Sequence, residues 1–137
     1  MASVAMIGPR PANDITRAII AAAMKVHSAL GPGLLESAYH ACLLFELHSE
    51  GLKAESQVAL PVLYRGVKLD VGYRIDLLVE DAVIVELKSI DAIAPIHQAQ
   101  LLSYLKLSGK NVGLLINFNV PHLKNGIKRI VNGRGWI

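Results

Sequence analysis

The sequence predicts an α/β domain in which helices flank a mixed central sheet. Near the N-terminus, Ile15, Ile19, Ala22 and Val26 repeat at helical spacing and form one apolar face. Short apolar runs typical of strands follow, and a helical segment that begins at Pro95 separates the last run from the others. A strand hairpin that leads into a crossover helix and a further strand predicts a mixed sheet with helices packed on it.

The predicted elements are two helices, three strands, a helix, a strand and a short final element. Asn13 or Asp14 can cap the first helix, and the glycines and proline of residues 31–33 end it. Arg65-Gly66 forms the turn between the first two strands, and Pro61 places the first strand at an edge or a bulge. We predict helices over residues 13–30, 34–50 and 95–107, strands over residues 56–63, 67–79, 83–88 and 112–118, and a short strand or helical turn over residues 127–132.

Composition limits the class of protein. The 137 residues suffice for one domain with its own core, and 53% of them are hydrophobic against 18% charged. We expect part of this apolar surface to be buried in a homo-oligomer, most simply a homodimer. No apolar run reaches about 18 residues, so no membrane span is expected, and the single cysteine excludes an internal disulfide, which fits the cytoplasm. We expect a flexible arm over residues 1–12 and one domain over residues 13–137.

Charge is distributed unevenly along the chain. Residues 1–91 contain 8 basic and 11 acidic residues, whereas residues 92–137 contain 6 basic residues and no acidic one. Such a basic segment fits an anionic partner such as nucleic acid, and a solvated basic face that aids solubility is an equally good interpretation. The candidate nucleic-acid contacts are Arg74, Lys106, Lys110, Lys124, Lys128 and Arg129.

Charged residues interrupt two of the apolar strands. Asp76 lies within the run of residues 72–79, and Glu86-Leu87-Lys88 ends the run of residues 83–88. Burial of unpaired charges costs several kcal/mol, on the order of 3–5 when one partner is missing, so these positions indicate a site.

The hairpin register sharpens this interpretation. With a three-residue loop at residues 80–82, Asp76 lies across from Glu86, Arg74 from Lys88, and Leu78 from Ile84. The opposite face then carries only apolar residues, namely Ile75, Leu77, Val79, Val83, Val85 and Leu87. Two close carboxylates repel each other, so they require a divalent cation, a shared proton or a cationic neighbour.

Further motifs flank these residues. Gly33, Glu36 and Tyr39 lie at the start of the second predicted helix and resemble the motif that names the GxxExxY proteins. In the third predicted helix, Gln100 and Tyr104 are four residues apart and share a face. His97, three residues before Gln100, lies on the same stripe, where a histidine at the start of a helix is the simpler interpretation.

The combination of motifs resembles a nuclease superfamily. Asp76 with Glu86-Leu87-Lys88 is similar to the core of the PD-(D/E)XK nucleases, to which the GxxExxY family is assigned. The segment from Gln100 to Tyr104 is similar to the QxxxY element of RecB-like members. The resemblance extends over residues 13–132, although Ile75 stands where the superfamily pattern has proline. It implies a restriction-endonuclease-like α-β-β-β-α-β core, with an extra N-terminal helix.

The resemblance also implies a chemistry, which is hydrolysis of phosphodiester bonds in DNA or RNA with Mg²⁺ or Mn²⁺. It implies that Asp76, Glu86 and the backbone carbonyl of Leu87 hold the metal, with Glu36 as a further ligand, directly or through water. Lys88 would orient the attacking water or stabilise charge on the phosphate. Gln100 and Tyr104 would hold Lys88, the water or the substrate, and Arg74 would bind phosphate or pair with Glu86.

Three alternatives remain open from the residues alone. Asp76 and Glu86 can pair with Arg74 and Lys88 in a ladder of ion pairs on a solvated face. The domain can also be a catalytically silent nuclease scaffold that binds nucleic acid or a protein partner. A metal-binding fold with a different substrate is the third alternative.

Overall fold

The described elements follow the predicted order, but the strand region is more divided. The computed structural model describes residues 10–133, so residues 1–9 of the predicted arm, and residues 134–137 at the other end, lie outside the described residues. Within this range the helices are α1 (Ala12–Leu30), α2 (Glu36–Ser49) and α3 (Pro95–Ser108). The strands are β1 (Ala54–Ala59), β2 (Val62–Tyr64), β3 (Val67–Leu69), β4 (Arg74–Val79), β5 (Val83–Lys88), β6 (Val112–Asn117) and β7 (Ile127–Val131).

Five strands form one mixed sheet in the order β1-β4-β5-β6-β7. β5 and β6 are parallel, and the other neighbouring strands are antiparallel. Because parallel neighbours need a crossover connection, α3 carries the chain from the end of β5 back to the start of β6. The predicted mixed sheet and the predicted crossover helix are both confirmed.

The sheet separates two hydrophobic clusters. On one face, α1 and α2 contribute residues such as Ile19 to a cluster that contains Val85 of β5. On the other face, Leu101 of α3 belongs to a cluster that contains Ile84. Successive residues of a strand point to opposite faces, so the side chain of Glu86 lies on the same face as Ile84, beneath α3.

The predicted strands over residues 56–63 and 67–79 are each divided in two. Pro61, which has no N–H for a strand ladder, separates β1 from β2, and a loop over residues 70–73 separates β3 from β4. β2 and β3 form their own two-stranded hairpin rather than extending the main sheet. Its turn is Arg65-Gly66, as predicted, and the φ angles of 52° and 81° fit a type I′ turn.

The ends of the chain differ in detail from the prediction. α1 begins at Ala12 after Pro11, so Asn13 and Asp14 lie in the first turn and do not cap the helix. At the other end, a short 3₁₀ turn (Leu123–Gly126) precedes β7, so the final element is a strand. Over residues 10–133, no helix has the length and apolar character that a membrane crossing requires.

Candidate active site

Asp76 and Glu86 lie opposite each other at the point where β4 and β5 separate. The two strands pair around the predicted loop of residues 80–82, with Leu78 opposite Ile84 and Leu77 opposite Val85. The same register places Asp76 opposite Glu86, but the backbone ladder ends one pair earlier. The predicted loop length and register are therefore confirmed.

β4 is irregular at Asp76 on both of its edges. Its pairing with β1 skips Gln57, which has a φ of 55°, and resumes at Ile75. One predicted detail is wrong as a consequence. Ile75 belongs to the cluster beneath α3, together with Ile84, and not to the opposite face. The strict alternation of side chains fails there because the regular pairing of β4 is interrupted on both sides.

Each carboxylate accepts a hydrogen bond from a backbone N–H of the opposite strand, in the place of the backbone carbonyl that a regular strand pair would provide. The N–H of Asp76 donates to Oε2 of Glu86 over 3.0 Å, and the N–H of Leu87 donates to Oδ2 of Asp76 over 2.8 Å. The N–H and C=O of one strand residue point to the same neighbouring strand, so the Leu87 carbonyl also faces Asp76. The backbone thus orients two acidic side chains and one carbonyl toward each other.

The electrostatics of this pair favour protonation or a cation. Burial, followed by the charge of Asp76, raises the pKa of Glu86 to about 8, and only 6% of the Glu86 residue surface is exposed. Burial also raises the pKa of Asp76, although the hydrogen bond from the Leu87 N–H partly opposes this shift. For Glu36, burial and then the charge of Asp76 raise the pKa. Two negative charges here are therefore unfavourable without added positive charge.

The nearby basic residues do not neutralise the carboxylates. Lys88 lowers the pKa of Asp76, Glu86 and Glu36, but the ion pairs found among residues 10–133 do not include it. Arg74 pairs with Asp70 at 3.6 Å instead of Glu86. The ladder of ion pairs across the hairpin is therefore not formed, and the predicted pairing of Arg74 with Glu86 is wrong.

Glu36 is the first residue of α2, and Tyr39 fixes the loop that precedes it. The ring of Tyr39 is fully buried and stacks on Phe118 with ring centroids 4.5 Å apart. Its hydroxyl donates to the carbonyl of Gly31 over 2.6 Å and accepts the N–H of Leu34 over 3.1 Å. Tyr39 therefore positions the start of α2 and has a structural role.

A second hydrogen bond connects this loop to the strand that carries Lys88. The hydroxyl of Ser89 donates to the carbonyl of Leu34 over 2.6 Å. Gly33, between these anchors, has a φ of 97°, which residues with a Cβ rarely adopt. Gly33 and Tyr39 thus act together to hold Glu36 near the end of β5.

α3 supplies the predicted polar pair on the other side. Nε2 of Gln100 donates to the hydroxyl of Tyr104 over 3.2 Å. The ring of Tyr104 packs in the cluster that contains Ile84, on the face of β5 that carries Glu86, and burial and then the charge of Glu86 raise the pKa of Tyr104. His97 accepts the N–H of Ala94 at its Nδ1 over 2.8 Å, so it is a residue of the helix start, as expected.

Two residues near the carboxylates were not predicted. Nε2 of His40 lies 3.1 Å from the backbone carbonyl oxygen of Asp76 and 3.1 Å from Oγ of Ser56. His40 follows Glu36 by four residues, and this spacing is the sequence signal that both lie on one helix face. Asn117, which is buried, exchanges two hydrogen bonds with the backbone of Ile90 and holds the segment after Lys88.

The predicted nucleic-acid contacts do not form one continuous surface. Lys110 pairs with Asp81 at 3.2 Å, next to the β4–β5 turn and at the opposite end of β5 from Lys88. Lys128 and Arg129 are consecutive in β7 and point to opposite faces of the sheet.

Two further members of this set are also apart from the carboxylates. Lys106 is exposed in the last turn of α3, two residues beyond Tyr104 and therefore not on the same face of the helix. Lys124 lines a cleft of about 450 Å³ that lies beside the end of α1, together with His27 and Pro32.

The donor set fits a hard divalent cation. Within residues 10–133, no group of three or more His, Cys, Asp or Glu side chains forms a ready metal cluster. Mg²⁺, however, is commonly bound through one or two carboxylates while it keeps several waters. Asp76, Glu86 and the Leu87 carbonyl offer such oxygen donors, and Glu36 lies within electrostatic range. Burial is the main cause of the raised pKa values of these carboxylates, and a bound cation would favour their ionised forms.

Comparison with known proteins identifies the scaffold. The family model of the PD-(D/E)XK nuclease superfamily matches residues 13–130. Neither the curated proteins nor the solved structures yield a match. Three helices and a mixed five-stranded sheet agree with the restriction-endonuclease-like α/β fold of that superfamily. This chain belongs to the PD-(D/E)XK nuclease superfamily.

Proposed function

We propose that this protein is a metal-dependent nuclease that hydrolyses phosphodiester bonds in DNA or RNA. The superfamily scaffold supports a nucleic-acid substrate. The observation that carries the proposal is the pair of Asp76 and Glu86, which the strands hold together although no basic side chain within residues 10–133 forms an ion pair with either. Two adjacent carboxylates, of which Glu86 is buried and Asp76 half-buried, repel each other when ionised, so their arrangement is best explained by a function.

We propose Asp76, Glu86 and the Leu87 carbonyl as the metal ligands, with Glu36 as a ligand from α2, directly or through water. Bound Mg²⁺ or Mn²⁺ would supply a more acidic water and neutralise charge on the phosphate oxygens. The chain contributes the preorganisation, because hydrogen bonds from the N–H groups of Asp76 and Leu87 fix one oxygen of each carboxylate. The other oxygen of each is left to bind a cation.

The remaining polar residues have supporting roles in this proposal. Lys88 is half-buried beside the carboxylates, and its ammonium would orient the attacking water or stabilise charge on the phosphate. Gln100 already donates to the hydroxyl of Tyr104, so this pair would position Lys88, the water or a phosphate oxygen as one unit. Arg74, at the start of β4, is exposed, and its guanidinium would bind a phosphate beside its ion pair with Asp70.

Membership in the GxxExxY group is part of the proposal. This membership is supported by the loop before α2. Gly33 and Tyr39 shape that loop, and the loop positions Glu36, so all three motif residues contribute to the placement of one carboxylate. A cytoplasmic location and a homodimer are further parts, supported by composition alone, through the single cysteine and the high apolar content.

The test combines metal binding with cleavage. Mn²⁺ and Mg²⁺ are titrated calorimetrically into the wild-type chain, Glu86→Gln and Glu55→Gln, and the same samples are assayed for nicking of a plasmid and cutting of RNA. Gln at position 86 can still accept the Asp76 N–H but carries no charge, and Glu55 is an exposed acid on β1. We expect Glu86→Gln to lose binding and cleavage, and Glu55→Gln to keep both.

Other outcomes would contradict the proposal. Cleavage that persists in purified Glu86→Gln would exclude the proposed metal site. If the wild-type chain binds no metal and cuts neither DNA nor RNA, it is a catalytically silent scaffold.

A further inference from the structure

The β2–β3 hairpin forms an unusually apolar surface next to the candidate site. From here on, the arm means residues 62–73, which include β2, β3 and the loop that leads into β4. It is separate from the N-terminal arm predicted over residues 1–12. The arm contains many of the large apolar residues that are exposed within residues 10–133. They are Leu63, Tyr64, Val67, Leu69, Val71 and Tyr73. A two-stranded hairpin is marginally stable by itself, and clustered exposed apolar side chains mark an interaction surface.

The charge of the arm indicates an anionic partner. Arg65 and Lys68 are exposed, and the ion pairs found among residues 10–133 include neither of them. Asp70 is the only acidic residue of the arm, and it is occupied by Arg74 at 3.6 Å and by the N–H of Gly72 at 3.0 Å. The arm therefore presents two uncompensated cations together with two tyrosines. A second copy of the arm would bring like charges together, whereas a nucleic-acid strand is complementary to it.

Tyr73 connects the arm to the carboxylates. Its ring is 44% exposed and lies 5.8 Å, centroid to centroid, from the ring of Tyr104. Its carbonyl accepts the N–H of Leu60 over 3.0 Å and Nη1 of Arg74 over 2.9 Å, so the backbone that carries the ring is fixed. Tyr104 in turn packs in the cluster beneath α3 that contains Ile84, and Glu86 lies two residues further along β5 on the same face. The backbone hydrogen bonds and the contact with Tyr104 thus place a partly exposed aromatic ring at the edge of the proposed catalytic centre.

We propose that the arm binds an unpaired nucleic-acid strand, with one base stacked on Tyr73 and with Arg65 and Lys68 on the neighbouring phosphates. This assignment rests on the proposed nuclease function, since it names the substrate of the same site. The strand must be unpaired at this point because a base inside a duplex is covered on both faces by its neighbours. Tyr64, which is 61% exposed near the tip of the arm, offers a second stacking surface for a base further along the strand.

The first experiment measures binding in EDTA, so that it does not depend on cleavage or on metal. A labelled oligo(dT) strand and a blunt-ended duplex are titrated with the wild-type chain, Tyr73→Ala and Tyr73→Phe. We expect the strand to bind more tightly than the duplex, and Tyr73→Ala to weaken strand binding by about tenfold, because one stacked base is lost. Tyr73→Phe keeps the ring, so its affinity should equal that of the wild type.

A strand that contains a fluorescent adenine analogue gives a readout specific to stacking. Its emission should be quenched by the wild type and by Tyr73→Phe, and much less by Tyr73→Ala. The phosphate contacts are tested with Arg65→Gln/Lys68→Gln, which should reduce the slope of log affinity against log salt by about 1.4 for two contacts to a single strand. Lys53→Gln, at the opposite end of the sheet, is the matched control and should leave the slope unchanged.

Several results would overturn the assignment. Equal affinity for strand and duplex, or an unchanged affinity of Tyr73→Ala, would remove the arm from substrate binding even if metal-dependent cleavage is intact. Tight strand binding without any cleavage would support the arm and contradict only the proposed nuclease. A wild-type dimer that Tyr64→Ser/Val67→Ser converts to a monomer, with strand binding unaffected, would assign the arm to self-association instead.

Discussion

The backbone N–H of Asp76 donates to Oε2 of Glu86 over 3.0 Å, so the side chain of one acid replaces the strand partner of the other. The reverse contact, from the Leu87 N–H to Asp76, spans 2.8 Å. Strand geometry therefore fixes the carboxylates, and no ion pair to a basic residue of the described range 10–133 takes part. Protonation and local strand structure are therefore coupled here, and the proposed cation binding would be coupled to both.

The first prediction concerns pH and stability without metal. The pKa of Glu86 is about 8 in the fold, against 4.5 for an ordinary glutamate, so over this interval the folded chain holds a proton that the unfolded chain releases. The free energy of unfolding should therefore fall as pH rises from the lower to the upper value. Glu86→Gln removes this dependence and should have the higher melting temperature at the alkaline end. Thermal unfolding of both chains in EDTA, at the lower and at the upper pH of this interval, measures the difference in melting temperature. A melting temperature that depends more steeply on pH in Glu86→Gln than in the wild type would contradict the prediction.

The second prediction concerns stabilisation by metal. A ligand that binds only the folded chain stabilises it by about 2.7 kcal/mol at a hundredfold excess over its Kd. Mn²⁺ should therefore raise the melting temperature of the wild type. The increase should be larger at a pH above the pKa of Glu86, where both carboxylates are ionised and repel each other without the metal. Asp76→Asn should abolish the increase and should also melt higher than the wild type without metal. The control is Asp81→Asn at the opposite end of β5, which should respond to Mn²⁺ as the wild type does.

The third prediction separates metal binding from chemistry at Lys88. Lys88→Met keeps most of the side-chain volume but removes the charge. We expect cleavage to fall by about 100-fold or more, since the variant lacks the charge that the proposed mechanism uses at the attacking water or the phosphate. Calorimetric Mn²⁺ binding should persist in this variant. Lys53→Met, an exposed substitution of the same kind, should cleave normally, and equal rates for both variants would remove Lys88 from the mechanism.

The fourth prediction concerns the loop before α2. Tyr39→Phe keeps the ring that stacks on Phe118 but removes the hydroxyl that joins Gly31 to Leu34. Loss of these two hydrogen bonds should lower the free energy of unfolding by about 1–3 kcal/mol, because the backbone groups lose their partner. Cleavage per folded molecule should fall too, since Glu36 is less firmly placed. Urea unfolding with Tyr64→Phe as control measures the first effect, and an unchanged midpoint would show that water replaces the hydroxyl.

Much of the fold follows from local sequence patterns. Helical spacing in residues 15–26, the turn at Arg65-Gly66 and the placement of successive β5 residues on opposite faces of the sheet each involve residues close in sequence. The register that places Asp76 opposite Glu86 also depends on a short loop and on alternation alone. Pro61 correctly predicted an edge strand, since β1 lies at the edge of the sheet. The division of the strands at Pro61 and at residues 70–73 was not predicted, since both positions lie inside runs of strand-like composition.

The sequence by itself determined the acidic pair, the helix pair Gln100–Tyr104 and the identity of the superfamily motifs. Only the tertiary structure decided that Arg74 pairs with Asp70, that His40 reaches Asp76, and that Lys128 and Arg129 face opposite sides of the sheet. The reason is physical. Strand and helix periodicity act over a few residues, whereas the partner of a long side chain depends on which distant elements the fold brings beside it.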